Sequence, residues 1–282
     1  MSSPIAELHY RVGRPALGHL PGHHRSPRGD SGFEFRGHAS LLDAPDPRRL
    51  DLHASLRDPF GQWRVRVYRQ RKSIPVMMAV DVSASMGFRG RHAKLDVVAD
   101  FTESLAWSAW RTGDSFGFVG CDAGVPLALS QPPTRARAVG GIVADKLRAW
   151  RPDGRSARGL LQLPGMLPRQ RALLFLVSDF HLPTALIDEV LAGIAAHDVV
   201  PVVLWDALEF DLGERRGLAS LIDPESGQRR LVWWRPALRT RWLAWRALRR
   251  EALLRVFREH RLEPLFIEGG FDADAVTRHF HG

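Results

Sequence analysis

Polar side chains follow two apolar segments of this 282-residue chain, at the point where each segment ends. The segment 76–80 leads into a loop with the pattern Asp-x-Ser-x-Ser, and the segment 172–177 leads into a second aspartate. The candidate ligands are Asp81, Ser83, Ser85 and Asp179. Carboxylates and hydroxyls are the hard oxygen ligands that Mg²⁺ prefers, and a position left open by the protein can accept a carboxylate from another molecule. The pattern therefore predicts a divalent-cation site.

Each of these side chains also has a simpler interpretation, because Asp or Ser after a strand is commonly the N-cap of a helix. Capping would explain any one of them alone. An aspartate at the tip of a buried strand is costly unless it is hydrogen-bonded, paired or metal-bound, and here two strand tips carry one. In an open parallel sheet, ligands bind at the carboxyl ends of the strands. The pair Asp81 and Asp179 therefore favours a shared site over two separate caps.

Short apolar runs alternate with helical stretches in residues 73–282, which is typical of a doubly wound, mostly parallel α/β sheet covered on both faces. Strands are predicted at 76–80, 115–121, 172–177, 199–204 and 265–267. Helices are predicted from about residue 97 to near Gly113, which suits a left-handed C-cap, and over 185–196. A run at 125–129 follows the second strand too closely for a crossover, so we expect it to pair antiparallel.

A long helix is predicted to begin near Pro236, because proline suits the first position of a helix. Its apolar residues recur with helical spacing, and we expect this stripe to face the sheet. The stripe consists of Leu238, Trp242, Trp245, Leu248, Ala252 and Val256.

Residues 1–72 are predicted to precede the main domain, 73–282, as an N-terminal arm and an edge-strand segment. From Gly13 to about Gly37 the sequence is dense in Gly, Pro, His and Arg, which indicates an extended arm. Residues 63–68 alternate between apolar and polar with a period of two, so we expect a half-exposed strand at an edge.

The composition limits the compartment in which the protein works. The single cysteine, Cys121, excludes an internal disulfide and indicates a reducing compartment. No apolar stretch approaches the ~20 residues of a membrane helix, and the N-terminus has no hydrophobic signal segment. We therefore expect a cytoplasmic protein without a membrane span.

Two other functions stay open as alternatives. The net charge of +9 admits a basic nucleic-acid or membrane-surface binder, whose mark would be strong salt dependence, although charge alone indicates only weak attraction to acidic surfaces. The second alternative is a metal-dependent phosphatase of the haloacid dehalogenase type, in which a nucleophilic aspartate follows a buried strand. Those enzymes have a second acid where this chain has Ser83. No Gly-x-x-x-x-Gly-Lys-Ser/Thr loop is present, so nucleotide hydrolysis is not expected.

The segment 81–86, Asp-Val-Ser-Ala-Ser-Met, resembles the metal-ion-dependent adhesion site of von Willebrand factor A domains, and more narrowly the bacterial family called domain of unknown function 58. The segment 46–55, Asp-Pro-Arg-Arg-Leu-Asp-Leu-His-Ala-Ser, is similar to an upstream pattern of that family, with Leu52 where the family has tryptophan. Lys94 and the segment 202–206 also resemble it. The resemblance extends from about residue 20 to the end of the chain.

The resemblance implies a role for each candidate ligand. Asp81, Ser83 and Ser85 would be the ligands of the first loop, and Asp179 would be the acid of the third loop. The second loop of the family normally offers a threonine, and the nearest candidate here is Ser156, which keeps a hydroxyl but lacks the methyl group. Ser156 has the alternative role of N-cap of a following helix.

The resemblance also implies a function. It predicts a non-enzymatic protein–protein interaction module that binds a partner carboxylate through Mg²⁺ or Mn²⁺. The implied partner is a MoxR-type AAA+ ATPase, its client protein, or both, in the assembly or activation of protein complexes. No nucleic-acid partner is expected from it. Many members of the family carry N-terminal membrane helices, and none is expected from the residues of this sequence.

Overall fold

The computed structural model describes residues 5–11, 21–25, 34–69, 71–210, 217–222 and 228–281. The strands are Pro21–Arg25 (β1), Glu34–Ser40 (β2), Arg64–Arg69 (β3), Arg71–Lys72 (β4), Pro75–Asp81 (β5), Ser115–Cys121 (β6), Ser130–Thr134 (β7), Leu173–Ser178 (β8), Asp198–Leu204 (β9), Gly217–Ile222 (β10), Arg229–Trp234 (β11) and Leu265–Ile267 (β12). The helices are Leu52–Leu56 (α1), Lys94–Arg111 (α2), Val139–Ala149 (α3), Leu163–Met166 (α4), Thr184–Gly193 (α5), Ala207–Phe210 (α6), Pro236–Glu259 (α7) and Ala273–His281 (α8).

The central sheet has six strands in the order β12-β9-β8-β5-β6-β7, and only β7 runs antiparallel to its neighbour. The chain enters at β5 and winds outward to β6, then returns to the other side of β5 to form β8, β9 and β12. The winding therefore reverses between β5 and β8, which is where ligands bind in such sheets. The sheet confirms the predicted doubly wound, mostly parallel α/β fold.

Strand β5 shows how the sheet is buried on both faces. Val76, Met78 and Val80 belong to a core cluster that includes residues of α2, α3 and α8. Met77 and Ala79 point the other way, into a cluster that includes residues of α5 and α7. This alternation follows from the two-residue period of a strand, and it explains why the strand is apolar at every position before Asp81.

Two predictions about the helices have different outcomes. Helix α2 ends where expected, because Gly113 follows it with φ +74°, a left-handed conformation that glycine adopts without strain. The stripe predicted for α7 is wrong in its middle, since Trp245 and Leu248 are 49% and 65% exposed, whereas Trp242 packs against the core. With 24 residues α7 is about 36 Å long, whereas a seven-residue strand spans about 23 Å, so only one end of the helix can pack on the sheet. That end carries Leu253 and Val256.

The predicted strand at 125–129 is also wrong. Residues Leu127–Leu129 form a 3₁₀ turn, and the antiparallel partner of β6 is β7, which follows the turn. Pro126 precedes the turn with φ −66°, the value that its ring imposes and that also opens a turn. The sequence signal of an antiparallel strand next to β6 was right, but its position was not.

The N-terminal region forms small sheets of its own. The predicted strand at 63–68 is present as β3, but it pairs with β2 and not with the central sheet. Most of the predicted arm, 13–37, lies outside the described residues. Nearer the N-terminus, Leu8 is buried and its N–H donates to Ser108 Oγ on α2 at 3.0 Å. The domain boundary between residues 72 and 73 stays a prediction.

None of the helices in the described ranges is long and apolar enough to cross a membrane.

Candidate metal centre

Four neighbouring strands of the sheet end at, or one or two residues before, an aspartate, and all four aspartates lie at the carboxyl edge. They are Asp122 after β6, Asp81 at the end of β5, Asp179 after β8 and Asp206 after β9. Asp81 and Asp179 are fully buried and stand on either side of the point where the winding reverses. The sheet therefore brings together the two aspartates that the sequence singled out.

The first loop folds its oxygen ligands toward one another. Asp81 Oδ1 accepts the N–H of Ser83 at 2.9 Å, and Asp81 Oδ2 accepts the hydroxyl of Ser178 at 2.8 Å. The hydroxyl oxygens of Ser83 and Ser85 lie 3.4 Å apart, and both side chains are buried. A carboxylate has about four lone-pair sites, so Asp81 retains capacity for a cation after these two hydrogen bonds.

Asp179 is held by an ammonium group that was not among the predicted site residues. Lys94, the first residue of α2, places Nζ 2.8 Å from Asp179 Oδ2 and 2.9 Å from Glu209 Oε1. Asp179 Oδ1 accepts the N–H of His181 at 3.1 Å, and Glu209 Oε2 lies 3.0 Å from His181 Nε2. Lys94 had a signal in the sequence only through the family resemblance, and Glu209 had none.

The charges of this buried cluster do not balance within the chain. Burial and the charge of Asp179 raise the pKa of Asp81 to about 6. Burial alone would also raise the pKa of Asp179, but the ammonium of Lys94 and the charge of His181 lower it below its ordinary value. Burial disfavours the charged form of Lys94, yet Asp179 and Glu209 together raise its pKa. Asp179 and Glu209 therefore share the ammonium of Lys94 and the imidazole of His181, whereas the hydrogen-bond partners of Asp81 are a backbone N–H and a hydroxyl.

This imbalance fits a divalent cation at the first loop. The donors there are a carboxylate and two hydroxyls, which are hard ligands suited to Mg²⁺ or Mn²⁺. In the described part of the chain no three His, Cys, Asp or Glu side chains are arranged to hold a metal. A cation at Asp81 would therefore depend on the hydroxyls of Ser83 and Ser85, and on water or a partner for the rest of its coordination.

Ser156 lies in a loop that contacts the first loop. The N–H of Ala84 donates to Gly154 O at 2.8 Å, so the backbone of this second loop is fastened beside the candidate ligands. The hydroxyl of Ser156 accepts the N–H of Arg158 at 3.1 Å, but the N-cap of the turn Arg158–Gln162 is Ala157, so Ser156 does not have the capping role that was its alternative. A hydroxyl oxygen has two lone pairs, so this hydrogen bond leaves one available. The ligand role of Ser156 stays a prediction.

Asp206 anchors the segment that leads into Lys94. Asp206 was not among the predicted site residues. Its Oδ2 accepts the N–H of Arg91 at 2.8 Å, and its Oδ1 accepts the N–H of Leu208 at 2.8 Å. A Cβ at Gly90 would stand 2.2 Å from the carboxyl carbon of Asp206, so only glycine fits there. The signal was an aspartate following an apolar strand, the same one that identified Asp81.

The third loop has a strained backbone that is held in place from two sides. Phe180 has φ +51°, a left-handed conformation that is unfavourable for a bulky residue. The indole N–H of Trp205 donates to Asp179 O at 2.9 Å. The guanidinium of Arg249 on α7 donates to the carbonyls of Phe180 and Leu182. These hydrogen bonds fix the loop, and with it the position of the Asp179 carboxylate.

Comparison with protein families gives one matching model, described as protein of unknown function DUF58, over residues 45–252. A relative from Paracoccus denitrificans, described as an uncharacterized protein in the moxR 3′ region, is 41% identical over 106 residues, which cover 36% of this chain and 96% of the relative. The matched stretch is therefore nearly the whole of that relative.

Two solved structures are among those similar to this chain. The hypothetical protein BatB from Bacteroides thetaiotaomicron shares 12% identity over 74% of this chain and 96% of its own, with a TM-score of 0.49. Proximal thread matrix protein 1 from the mussel byssus, solved with a zinc-occupied MIDAS motif, shares 16% identity over 47% of this chain and 38% of its own, with a TM-score of 0.35.

Proposed function

The chain belongs to the DUF58 family, and from this premise we propose that it is a non-enzymatic interaction module that binds a partner's carboxylate through a divalent cation. The observation that carries the proposal is the buried first loop, in which Asp81, Ser83 and Ser85 gather oxygen ligands beside an aspartate that already has its own ammonium. A buried carboxylate whose partners within the chain are neutral favours a bound cation.

Each residue of the site would have its own role in holding the cation. Asp81, Ser83 and Ser85 would hold Mg²⁺ or Mn²⁺, and Ser156 would approach it from the second loop. Asp179, held by Lys94 and by the fixed third loop, would supply negative charge nearby without moving. The cation, when bound, supplies a Lewis-acidic position that a carboxylate of another protein can occupy.

We propose a MoxR-type AAA+ ATPase, its client protein, or both, as the partner in the assembly or activation of protein complexes. The relative described by its place in the moxR 3′ region supports this proposal, together with the family membership. The work of the protein in the cytoplasm is part of the same proposal, and cell fractionation would test it.

We propose no catalytic activity. In a phosphatase of the haloacid dehalogenase type, a second acid two residues after the nucleophile protonates the leaving group, and Ser83 stands there. The carboxylate whose charge acts on Asp81 is that of Asp179, which is paired with an ammonium and has a lowered pKa. It is therefore a poor proton donor at neutral pH. Turnover of an aryl phosphate that disappears in Asp81→Asn would contradict this part of the proposal.

The proposal is tested by binding of the purified protein to an immobilised MoxR-type ATPase. We expect association in Mg²⁺ or Mn²⁺, loss of association in chelator, and loss in Asp81→Asn. The exposed Asp274, replaced by asparagine, is the matched control and should bind as the wild type does. Equal binding by Asp81→Asn in the presence of Mg²⁺ would show that the cation is not the means of attachment.

A further inference from the structure

A polar cleft opens directly beside the first loop. Its volume is about 320 Å³, within the range from about 300 Å³ upward that is typical of binding sites. One wall is the 3₁₀ turn Ala84–Gly87, which contains the candidate ligand Ser85. The opposite wall is the end of α3 and the segment after it, including Trp150 and Pro152. A molecule attached at the first loop would therefore have its neighbouring groups at this cleft.

The walls of the cleft carry an excess of positive charge. They contain Arg89, Arg148 and Arg151 against one acid, Asp96. Arg148 is already paired, since its guanidinium lies 2.8 Å from Asp100. Arg89 and Arg151 form no salt bridge within the part of the chain that the structure describes, and both are exposed. Two guanidinium groups, each with a planar set of donors suited to a carboxylate, thus remain available at the mouth of the cleft.

Trp150, which lines the cleft, has a donor without a partner in the described part of the chain. Its indole Nε1 is buried and has no hydrogen-bond acceptor among the described residues. Buried donors are normally satisfied, so an exception calls for an explanation. Trp150 lines the cleft, and beside it the wall is apolar at Leu147 and Met86. A side chain with a methylene stem and a terminal carboxylate matches these surroundings better than a bare phosphate does.

We propose that this cleft binds the acidic residues that flank the metal-binding carboxylate of a partner protein, with Arg89 and Arg151 as the recognising cations and Trp150 as an additional donor. The inference rests on the proposed function, because it extends the same attachment by the residues next to it. Arginine clusters that recognise acidic segments are a recurring mode of peptide binding.

The test uses the full chain and two synthetic peptides, acetyl-Glu-Glu-Asp-Glu-Glu-amide and acetyl-Gly-Gly-Asp-Gly-Gly-amide, titrated by calorimetry in Mg²⁺. We expect the acidic peptide to bind roughly tenfold more tightly to the wild type, as charge-assisted hydrogen bonds from two arginines allow. The double variant Arg89→Gln, Arg151→Gln should lose that difference. The matched control Arg255→Gln, Arg258→Gln removes the same charge from the exposed face of α7 and should retain it.

The variant Trp150→Phe keeps the aromatic ring and removes only the donor, so we expect a smaller loss of affinity for the acidic peptide than in the arginine double variant. Equal affinities of the wild type for the two peptides, or an unchanged difference in Arg89→Gln, Arg151→Gln, would overturn the inference. So would a single-stranded oligonucleotide that displaces the acidic peptide and itself depends on the two arginines, because it would identify a phosphate site.

Failure of the proposed function gives a different pattern. If Asp81→Asn and chelator leave the binding of both peptides unchanged while the two arginines still determine the preference for the acidic one, the cation is not involved but the cleft is. Equal affinities of the wild type for the two peptides, with binding of the glycine peptide still dependent on Mg²⁺, would reject the cleft alone.

Discussion

Replacing Asp81 by asparagine should stabilise the protein when no divalent cation is present. Asparagine has the same shape, so its Oδ1 can still accept the N–H of Ser83 and its amide can donate to Ser178, while the uncompensated buried charge is removed. This is an unusual expectation for a buried, hydrogen-bonded residue, because most substitutions at such positions destabilise.

The magnitude follows from the pKa of Asp81. A rise from 3.8 to about 6 is equivalent to about 3 kcal/mol between the two protonation states, which is an upper limit for the gain. At about 2–4 °C per kcal/mol for a domain of this size, the melting temperature should rise by at most roughly 6–12 °C. The pKa of Asp81 is raised in the folded state. The contribution of Asp81 to the free energy of unfolding is therefore largest below pH 3.8, and it is lost as the pH rises through about 6.

The assay is thermal unfolding in chelator, at pH 7.5 and again near pH 5, for the wild type and Asp81→Asn. We expect the variant to melt at the higher temperature, with the larger difference at pH 7.5. Added Mg²⁺ should then raise the melting temperature of the wild type alone, since a ligand that binds only the folded state stabilises it. A variant that melts below the wild type in chelator at pH 7.5 would refute the inference that Asp81 carries an uncompensated buried charge.

Three further substitutions test the surroundings of the site. Lys94→Met should cost about 3–5 kcal/mol in urea unfolding, because it leaves two buried carboxylates without their ammonium; a loss below 1 kcal/mol would mean that the ion pairs do not form. Gly90→Ala should destabilise, since its Cβ would stand 2.2 Å from the carboxyl carbon of Asp206, whereas Gly141→Ala on α3, whose Cβ would meet only Glu103 Oε1 at 4.0 Å, should not. Burial and a neighbouring arginine lower the pKa of His197 from 6.5, so the wild type should lose stability as the pH falls below about 6.5, and His197→Asn should lose less in urea unfolding at pH 7 and pH 5.

The strands that carry the site could be predicted from the sequence because their signal is local. A run that is buried on both faces of a sheet must be apolar at every position, and an aspartate that ends such a run marks the carboxyl edge. Asp81 and Asp179 could be paired on this ground before their distance in the fold was known. Gly113 ended a helix as predicted, because a left-handed C-cap is also a local requirement.

The rest of the site depends on contacts that the sequence does not display. Lys94 and Glu209 come from two helices far apart in the chain, and they meet only because β5, β8 and β9 are neighbours in the sheet. A lysine at the start of a helix and a glutamate in a four-residue helix have no pattern that would connect them. The predicted packing of the α7 stripe was partly wrong for a related reason. Periodicity shows which face of a helix is apolar, but it does not show how much of the helix packs against the sheet.

We propose above that Asp81 and the serines of the first loop bind a divalent cation. Calorimetric titration of Mg²⁺ and of Mn²⁺ into the purified protein, with acetate present in excess to supply a carboxylate, tests it most directly. We predict saturable binding by the wild type and by Asp274→Asn, and none by Asp81→Asn. Equal binding by Asp81→Asn, or no saturable binding by the wild type, would contradict the claim.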